Sequence, residues 1–313
     1  KEMCSRKSSI LTVEELAAFN YKGSFARCGK CENRCMLTIT TFDDGRKFIS
    51  GNRCEKGSGM MKKNDLPNLY DYKLKRVFDY KSLDEKDAPN GTIGIPRALN
   101  IYENYPFWHA MFTKLGFRVV LSDPSSHSMF EKGMETISSD TVCYPAKLIH
   151  GHIENLAEKG VAKIFYPCIP FERKEFGDSN NHYNCPVVTS YPEVIKSNMD
   201  VLKEREIEFI NFFVALDERE FMPAKIMKEF GKYGITEQQA QEASDAAYEA
   251  LDRFKQDMRE QGEKTIKWLQ ETGNTGIVLA GRPYHVDAEI NHGIPSLITS
   301  YGLAVLTEDS VAH

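Results

Sequence analysis

The sequence predicts an α/β protein whose main body is a parallel sheet flanked by helices. Two features carry this expectation. Short apolar runs alternate with helix-period segments from position 91 onward. A strand–loop–helix–strand plan returns near position 276, as a second and partial α/β unit. A third feature sets the N-terminus apart: Cys4, Cys28, Cys31, Cys35 and Cys54 crowd the first fifth of a 313-residue chain that holds 8 cysteines. The chain therefore reads as residues 1–75, a cysteine-rich module with its linker, then 76–200 and 201–313.

Taken in order, Thr12-Val-Glu-Glu15 is a capping box that opens a helix over 13–19. Two β-rich runs, 36–42 and 47–50, flank Asp43-Asp-Gly45 and predict a β-hairpin. Residues 58–90 read as a linker with short helices. Strands are expected at 91–95, 117–121 and 162–166, and helices at 105–115 and within 141–158. The order β-α-β-α-β with short connections argues a Rossmann-like parallel sheet with helices on both faces. Pro186-Val-Val-Thr189 reads as a further strand, 193–213 as mixed, and 223–230 as a helix. Thr236-Glu-Gln-Gln239 opens a helix reaching about position 271. Its stripe of Ala240, Ala243, Ala247, Ala250, Leu251, Phe254 and Met258 faces the core. The second unit follows as a buried strand at 276–280, a loop, a helix at 294–301 and a strand at 303–306. The first residue is not Met and the last residues run from a strand into a loop, so a piece of a longer polypeptide is expected.

Hydrophobic residues make up 41% and charged residues 27%, a globular composition. A net charge of −5 argues against nucleic-acid binding, which needs a basic excess to neutralise phosphates. No run of about 18 apolar residues predicts a membrane span. The first ten residues lack an apolar signal core, so a cytoplasmic chain is expected. Its thiols then read as metal ligands before disulfides.

Cys28-x2-Cys31-x3-Cys35 puts three thiolates within eight residues, and the hairpin would return Cys54 toward them. Four soft thiolates suit an iron–sulfur cubane or zinc. The three-plus-one spacing matches a cubane better than paired zinc knuckles, and the alternative is a zinc-stabilised, non-redox scaffold that docks an activase or dehydratase partner. The pattern is similar to the cluster-binding N-terminus of molybdopterin oxidoreductases, although nothing downstream resembles a molybdopterin domain. Mid-chain, Cys143, Cys168 and Cys185 each stand beside proline in a segment near a strand end or helix start. Ligands of open parallel sheets gather outside the carboxyl ends of the strands, where three loops can bring thiols together.

A wider resemblance rests on Gly94-Ile-Pro-Arg97, Phe107-Trp-His109, Gly116-Phe-Arg-Val-Val120, Asp140-Thr-Val-Cys-Tyr-Pro-Ala-Lys147, His150-Gly-His152 and Pro167-Cys-Ile-Pro170. Arg282-Pro-Tyr-His-Val-Asp287 and Asn291-His-Gly-Ile-Pro295 extend it. Together they resemble the 2-hydroxyacyl-CoA dehydratase-like region of acyl-CoA dehydratase activase-related proteins. In that family, ATP-binding activase domains precede this region. An activator injects one electron, and a ketyl radical then permits loss of an unactivated β-proton. The resemblance implies a 4Fe–4S cluster on Cys143, Cys168 and Cys185, with one or two clusters in all. It also implies ATP-dependent activase domains as partners and an acyl-CoA substrate; a homodimer is a further expectation. Gly23 to Lys30 lacks the spacing of a phosphate-binding loop.

Lys147, one turn after Cys143, and Arg97 are candidates to stabilise cluster charge or an anionic substrate group. His150 and His152 face different sides of a helix, so one of them can approach the cluster. The plainer expectation is a pair on the helix surface. Arg282, His285, Asp287 and His292 form a polar group that reads as a site or as a hydrogen-bonded turn. Phe107 and Trp108 read as core.

Overall fold

In the computed structural model, residues 11–29, 34–52, 57 and 65–312 are described. Contacts divide the chain into two units, residues 1–63 and 64–313. Here α1 is Val13–Ala17, and its Thr12 capping box forms as expected. Three antiparallel strands follow: β1 (Tyr21–Arg27), β2 (Met36–Phe42) and β3 (Lys47–Ser50). The hairpin turns on Gly45, whose φ of 83° suits a residue without Cβ. Strand β1 is missing from the sequence reading. Gly23 interrupts it and its side chains are almost all exposed, so no buried alternation marks it. At the other end of the sheet, a Cβ on Gly51 would lie 2.6 Å from the Met36 carbonyl oxygen, so this strand exit requires glycine.

The larger unit is α/β. Its sheet has four parallel strands in the order β5-β4-β6-β7. They are β4 (Thr92–Ile95), β5 (Arg118–Leu121), β6 (Lys163–Phe165) and β7 (Glu208–Ile210). Ile93, Ile95, Ile164 and Phe165 are fully buried, as strands covered on both sides demand. The connecting helices include α3 (Ile101–Lys114) and α5 (Tyr144–Glu158), with the short α4 (His127–Gly133) between them. Phe107 and Trp108 lie in the core, and Trp108 packs edge-on against Phe165 at 4.8 Å. Helix α3 begins four residues before the expected start. Pro106 suggests a helix start, but it sits inside this helix.

Residues 186–189 are not a strand. They open α6 (Pro186–Asn198). Val187, Val188 and Thr189 favour β structure, but Pro186 sits at the first helical position with Cys185 as N-cap, and burial of Val188, Tyr191 and Ile195 decides the state. A short α7 (Val201–Glu204) leads to β7, and α8 (Met222–Phe230) precedes α9 (Glu237–Thr272). All seven expected stripe residues of α9 are buried.

The second α/β element is a two-stranded parallel sheet, β8 (Gly276–Leu279) with β9 (Ala304–Thr307). Strand β8 is not buried: Ile277 is 37% and Val278 49% exposed, while β9 is buried throughout. Between them lie a 3-10 turn (Pro283–Val286), α10 (Ala288–Asn291) and α11 (Ile294–Ser300). The expected linker is structured from position 65 on. Its helix α2 (Leu69–Phe78) buries Leu69, Tyr70 and Val77. The Tyr70 hydroxyl donates to the Leu279 carbonyl at 2.9 Å, and buried Lys73 pairs with Asp309 at 2.6 Å. This helix runs through the expected boundary at 75/76.

Candidate functional site

The strand order reverses between β4 and β6, so the crevice of this sheet lies at their carboxyl ends. Tyr166-Pro167-Cys168 leaves β6 there. The ladder with the β7 strand continues past Phe165: the Tyr166 and Cys168 amides donate to the carbonyls of Ile210 and Phe212 at 3.0 and 2.9 Å. Two residues apart on an extended chain, the Tyr166 and Cys168 side chains share one face of the sheet. Cys168 is fully buried. Burial, reinforced by Glu193, pushes its thiol up to about 11.

Cys143 and Cys185 take matching positions. Each is the N-cap of a helix, α5 or α6, with extended backbone and a proline in the first two helical positions. Cys143 is exposed and Cys185 half-buried. The Cys185 Sγ accepts from the Val188 amide at 3.4 Å. A helix N-terminus favours negative charge, so both cysteines stand where an anionic group is electrostatically welcome. The thiols of Cys168, Cys143 and Cys185 all act on the Tyr166 phenol, which is buried and whose pKa burial raises first and foremost. Cys143 and Cys185 also act on Tyr284, and Cys143 on Tyr191. The Tyr166 hydroxyl has no hydrogen-bond partner among the described residues. Leu99, Ile101, Ile169 and Val188 line a small cavity beside it. No group of three or more His, Cys, Asp or Glu among the described residues is arranged to hold a metal ion.

The expected polar candidates separate. The Arg97 amide donates to Ser122 Oγ and its Nε to the Ser122 carbonyl, at 2.8 and 2.9 Å, and its guanidinium lies 4.3 Å from the Phe78 ring. Burial lowers its pKa, against the pull of Tyr102, Tyr105 and Asp287. The Lys147 Nζ donates to the Asp140 carbonyl at 2.8 Å, within its own loop. His150 and His152 are not on the helix surface: both are completely buried. They do face different sides. His150 bonds Thr136 Oγ1 at 2.7 Å and the Tyr191 hydroxyl at 3.0 Å. His152 Nε2 bonds Ser125 Oγ at 3.0 Å. Burial lowers the two histidines to about 4 and about 3, so both are neutral.

Asp287 is the polar centre that the residue reading only grouped with its neighbours. It is 3% exposed. Its Oδ2 accepts from the Tyr102 and Ser125 hydroxyls, and its Oδ1 caps α10 through the Glu289 amide at 2.8 Å. Glu289, also buried, accepts from the Tyr144 hydroxyl at 2.8 Å, next to Cys143. Arg282 and His285 form a turn instead: the Arg282 amide donates to His285 Nδ1 at 2.9 Å. His292 is exposed. Tyr166 was missed too, although it immediately precedes the quoted Pro167-Cys-Ile-Pro170 motif. A tyrosine after a buried strand reads as core until its hydroxyl is followed.

In the N-terminal unit the Cys28 amide donates to the Cys35 carbonyl at 2.8 Å, closing the β1–β2 hairpin. Cys28 is buried and Cys35 half-buried. Cys31, Cys54 and Cys4 lie outside the described residues.

With this geometry in place, comparison with known families is decisive at one level. The model of the CoA enzyme activase uncharacterised domain (DUF2229) matches residues 92–311. The chain belongs to this family. It is therefore an acyl-CoA dehydratase activase-related protein, as the motif resemblance implied. No curated protein and no solved structure matches it. The family match begins at β4 and includes Cys143, Cys168, Cys185 and the Asp287 network; the N-terminal cysteines lie outside it. No described helix of this CoA enzyme activase domain is long and apolar enough to cross a membrane.

Proposed function

We propose that this chain is an iron–sulfur component of acyl-CoA dehydratase-type chemistry, with Cys143, Cys168 and Cys185 as ligands of one cluster. One observation carries the reading. Cys143, Cys168 and Cys185 stand on three separate segments at the carboxyl end of a parallel sheet, and all three act electrostatically on the buried phenol of Tyr166, which has no hydrogen-bond partner among the described residues. Thiolates are the ligands iron–sulfur clusters take. A cubane spreads its cysteines over separate corners, so it asks for less convergence than a single ion does. When bound, such a cluster supplies a single low-potential electron, which no side chain can hold.

The protein's own residues then have defined tasks. The N-termini of α5 and α6 offset the negative charge of thiolates. Leu99, Ile101, Ile169 and Val188 keep water from the Tyr166 side. Lys147 and Arg97 supply cations at the same end of the sheet for an anionic acyl-CoA group. The partner in this reading is an ATP-dependent activase domain, and the substrate class is an acyl-CoA thioester. For Cys28, Cys31, Cys35 and Cys54 the proposal is a second cluster, with zinc as the alternative occupant.

Anaerobic reconstitution followed by iron, sulfide and zinc analysis and paramagnetic resonance tests this directly. The expected result is iron with acid-labile sulfide, reduced in amount when Cys143→Ser, Cys168→Ser and Cys185→Ser are combined. An unchanged iron content in that triple variant removes the mid-chain cluster. Stoichiometric zinc without iron in the parent protein removes the redox reading altogether.

A further inference from the structure

We propose that Arg97 and Lys75 form a phosphate-binding site at the carboxyl end of β4, and that it takes a phosphate group of a CoA moiety. The identity of the ligand rests on the acyl-CoA reading above, whereas the anion site rests on geometry. Arg97 follows the last residue of β4 by two positions. With Leu74, Lys75, Phe78 and Asp79 it lines an open cavity of about 500 Å³. Small-molecule ligands fill cavities of this size. The neighbouring strand β6 brings Cys168 to the same end of the sheet.

Arg97 is fixed before any ligand arrives. Its backbone amide and its Nε are both engaged by Ser122, at 2.8 and 2.9 Å. Its guanidinium lies 4.3 Å from the centre of the Phe78 ring, within cation–π range. The two Nη nitrogens make no hydrogen bond or ion pair among the described residues. Two carboxylates act on Arg97 from nearby, but both are engaged elsewhere. Asp123 accepts from Asn155 at 2.9 Å and pairs with Lys159 at 2.7 Å. Asp287 accepts from Tyr102 and Ser125. Burial works against the charge of Arg97, so this half-buried cation is left needing an anion.

Lys75 is in the same position. It stands in the last turn of α2, exposed, and makes no ion pair among the described residues. Asp79 is the one carboxylate of the cavity lining and pairs with neither cation among the described residues. A second large cavity, beside α9, holds more cations. There, however, Arg173, Arg253, Lys255 and Arg259 each pair with a carboxylate. Positive charge is neutralised in that groove and left open in this one. Phosphate suits the open pair. An arginine fork offers two parallel N–H donors to phosphate oxygens, and a lysine ammonium adds a point charge. A phosphate monoester carries about −1.5 to −2 at pH 7, which matches two cations better than the single charge of a carboxylate does.

Calorimetric titration tests the site in the parent chain, Arg97→Gln, Lys75→Gln and, as a control in the other groove, Lys174→Gln. The probes are CoA, inorganic phosphate and pantetheine, which carries no phosphate. The parent is expected to bind CoA more tightly than pantetheine. Arg97→Gln is expected to weaken CoA binding roughly tenfold or more, and Lys75→Gln about threefold. Lys174→Gln is expected to match the parent. CoA binding that is equal in Arg97→Gln and the parent overturns the site and leaves the acyl-CoA reading standing. Inorganic phosphate bound as tightly as CoA, and lost in Arg97→Gln, supports the anion site and overturns its link to CoA. A parent chain that binds neither probe overturns the inference. Should Arg97→Gln fail to fold, exposed Lys75 decides: unchanged CoA binding in Lys75→Gln overturns the site, and weaker binding supports it.

Discussion

His150 and His152, two positions apart on α5, show how far one residue type can diverge. His150 ties Thr136 to Tyr191, and His152 reaches toward Ser125 and the Asp287 network. Burial keeps both neutral, at about 4 and about 3 against an ordinary histidine value of 6.5, and His109 is likewise lowered to about 4. Between pH 6.5 and about 4 the unfolded chain therefore binds more protons than the folded one. Stability from these groups is fully present above pH 6.5 and is lost as the pH falls through that window. The urea midpoint is expected to drop between pH 7 and pH 5. In His150→Phe, Thr136 and Tyr191 lose their bonds to the ring, and Thr136 keeps its bond to the Gly133 carbonyl. That variant is expected to be about 2–3 kcal/mol less stable at pH 7 and to show a shallower pH dependence. Equal slopes for parent and variant would contradict the assignment.

At the scale of elements, the contact between α4 and α5 is made by glycine. A Cβ on Gly151 would lie 1.7 Å from the Met129 carbonyl oxygen, and one on Gly133 2.2 Å from the Gly151 nitrogen. The two helices therefore meet backbone to backbone. By propensity alone, Gly151→Ala gains about 1 kcal/mol in a helix. Here the close approach reverses the sign, and overpacking is expected to cost about 1–3 kcal/mol. Chemical denaturation of the variant measures this, and a stabilised protein would refute the packing argument. The same helix places Cys143 at its N-terminus, so its seat against α4 helps set where that thiol stands. Helix α6 shows the limit of local pattern: three β-branched residues misled the reading, and helix burial outweighed them.

At the scale of the molecule, α2 and the C-terminal strand β9 hold each other. The Val305 amide donates to the Pro67 carbonyl at 2.9 Å, and Lys73 is buried against Asp309. Tyr70, Tyr102, Val286 and Val305 form a cluster that joins this region to α3. A chain starting at position 65 keeps all of these contacts. It is expected to unfold in a single cooperative transition, and divergence between circular dichroism and fluorescence transitions would speak against one unit.

How much was legible follows from the same distinctions. The strands at 92–95 and 118–121, the long helix with its alanine stripe and the capping boxes at Thr12 and Thr236 follow from local rules, because period and capping are properties of neighbouring residues. So does the cysteine–proline pattern that marks the candidate site. Strand β1 and the burial of α2 were not legible, because they depend on partners far along the chain. The same holds for the Asp287 network, which joins Tyr102, Ser125 and Asp287 over as many as 185 positions. Composition and spacing determined an α/β chain with clustered thiols, and the resemblance of its motifs pointed to the acyl-CoA dehydratase activase-related proteins. Only the tertiary structure decided which polar groups are buried, which histidines are neutral and which hydroxyls among the described residues lack a partner. Burial and hydrogen-bond satisfaction are set by what the folded chain brings together, and no local pattern encodes them.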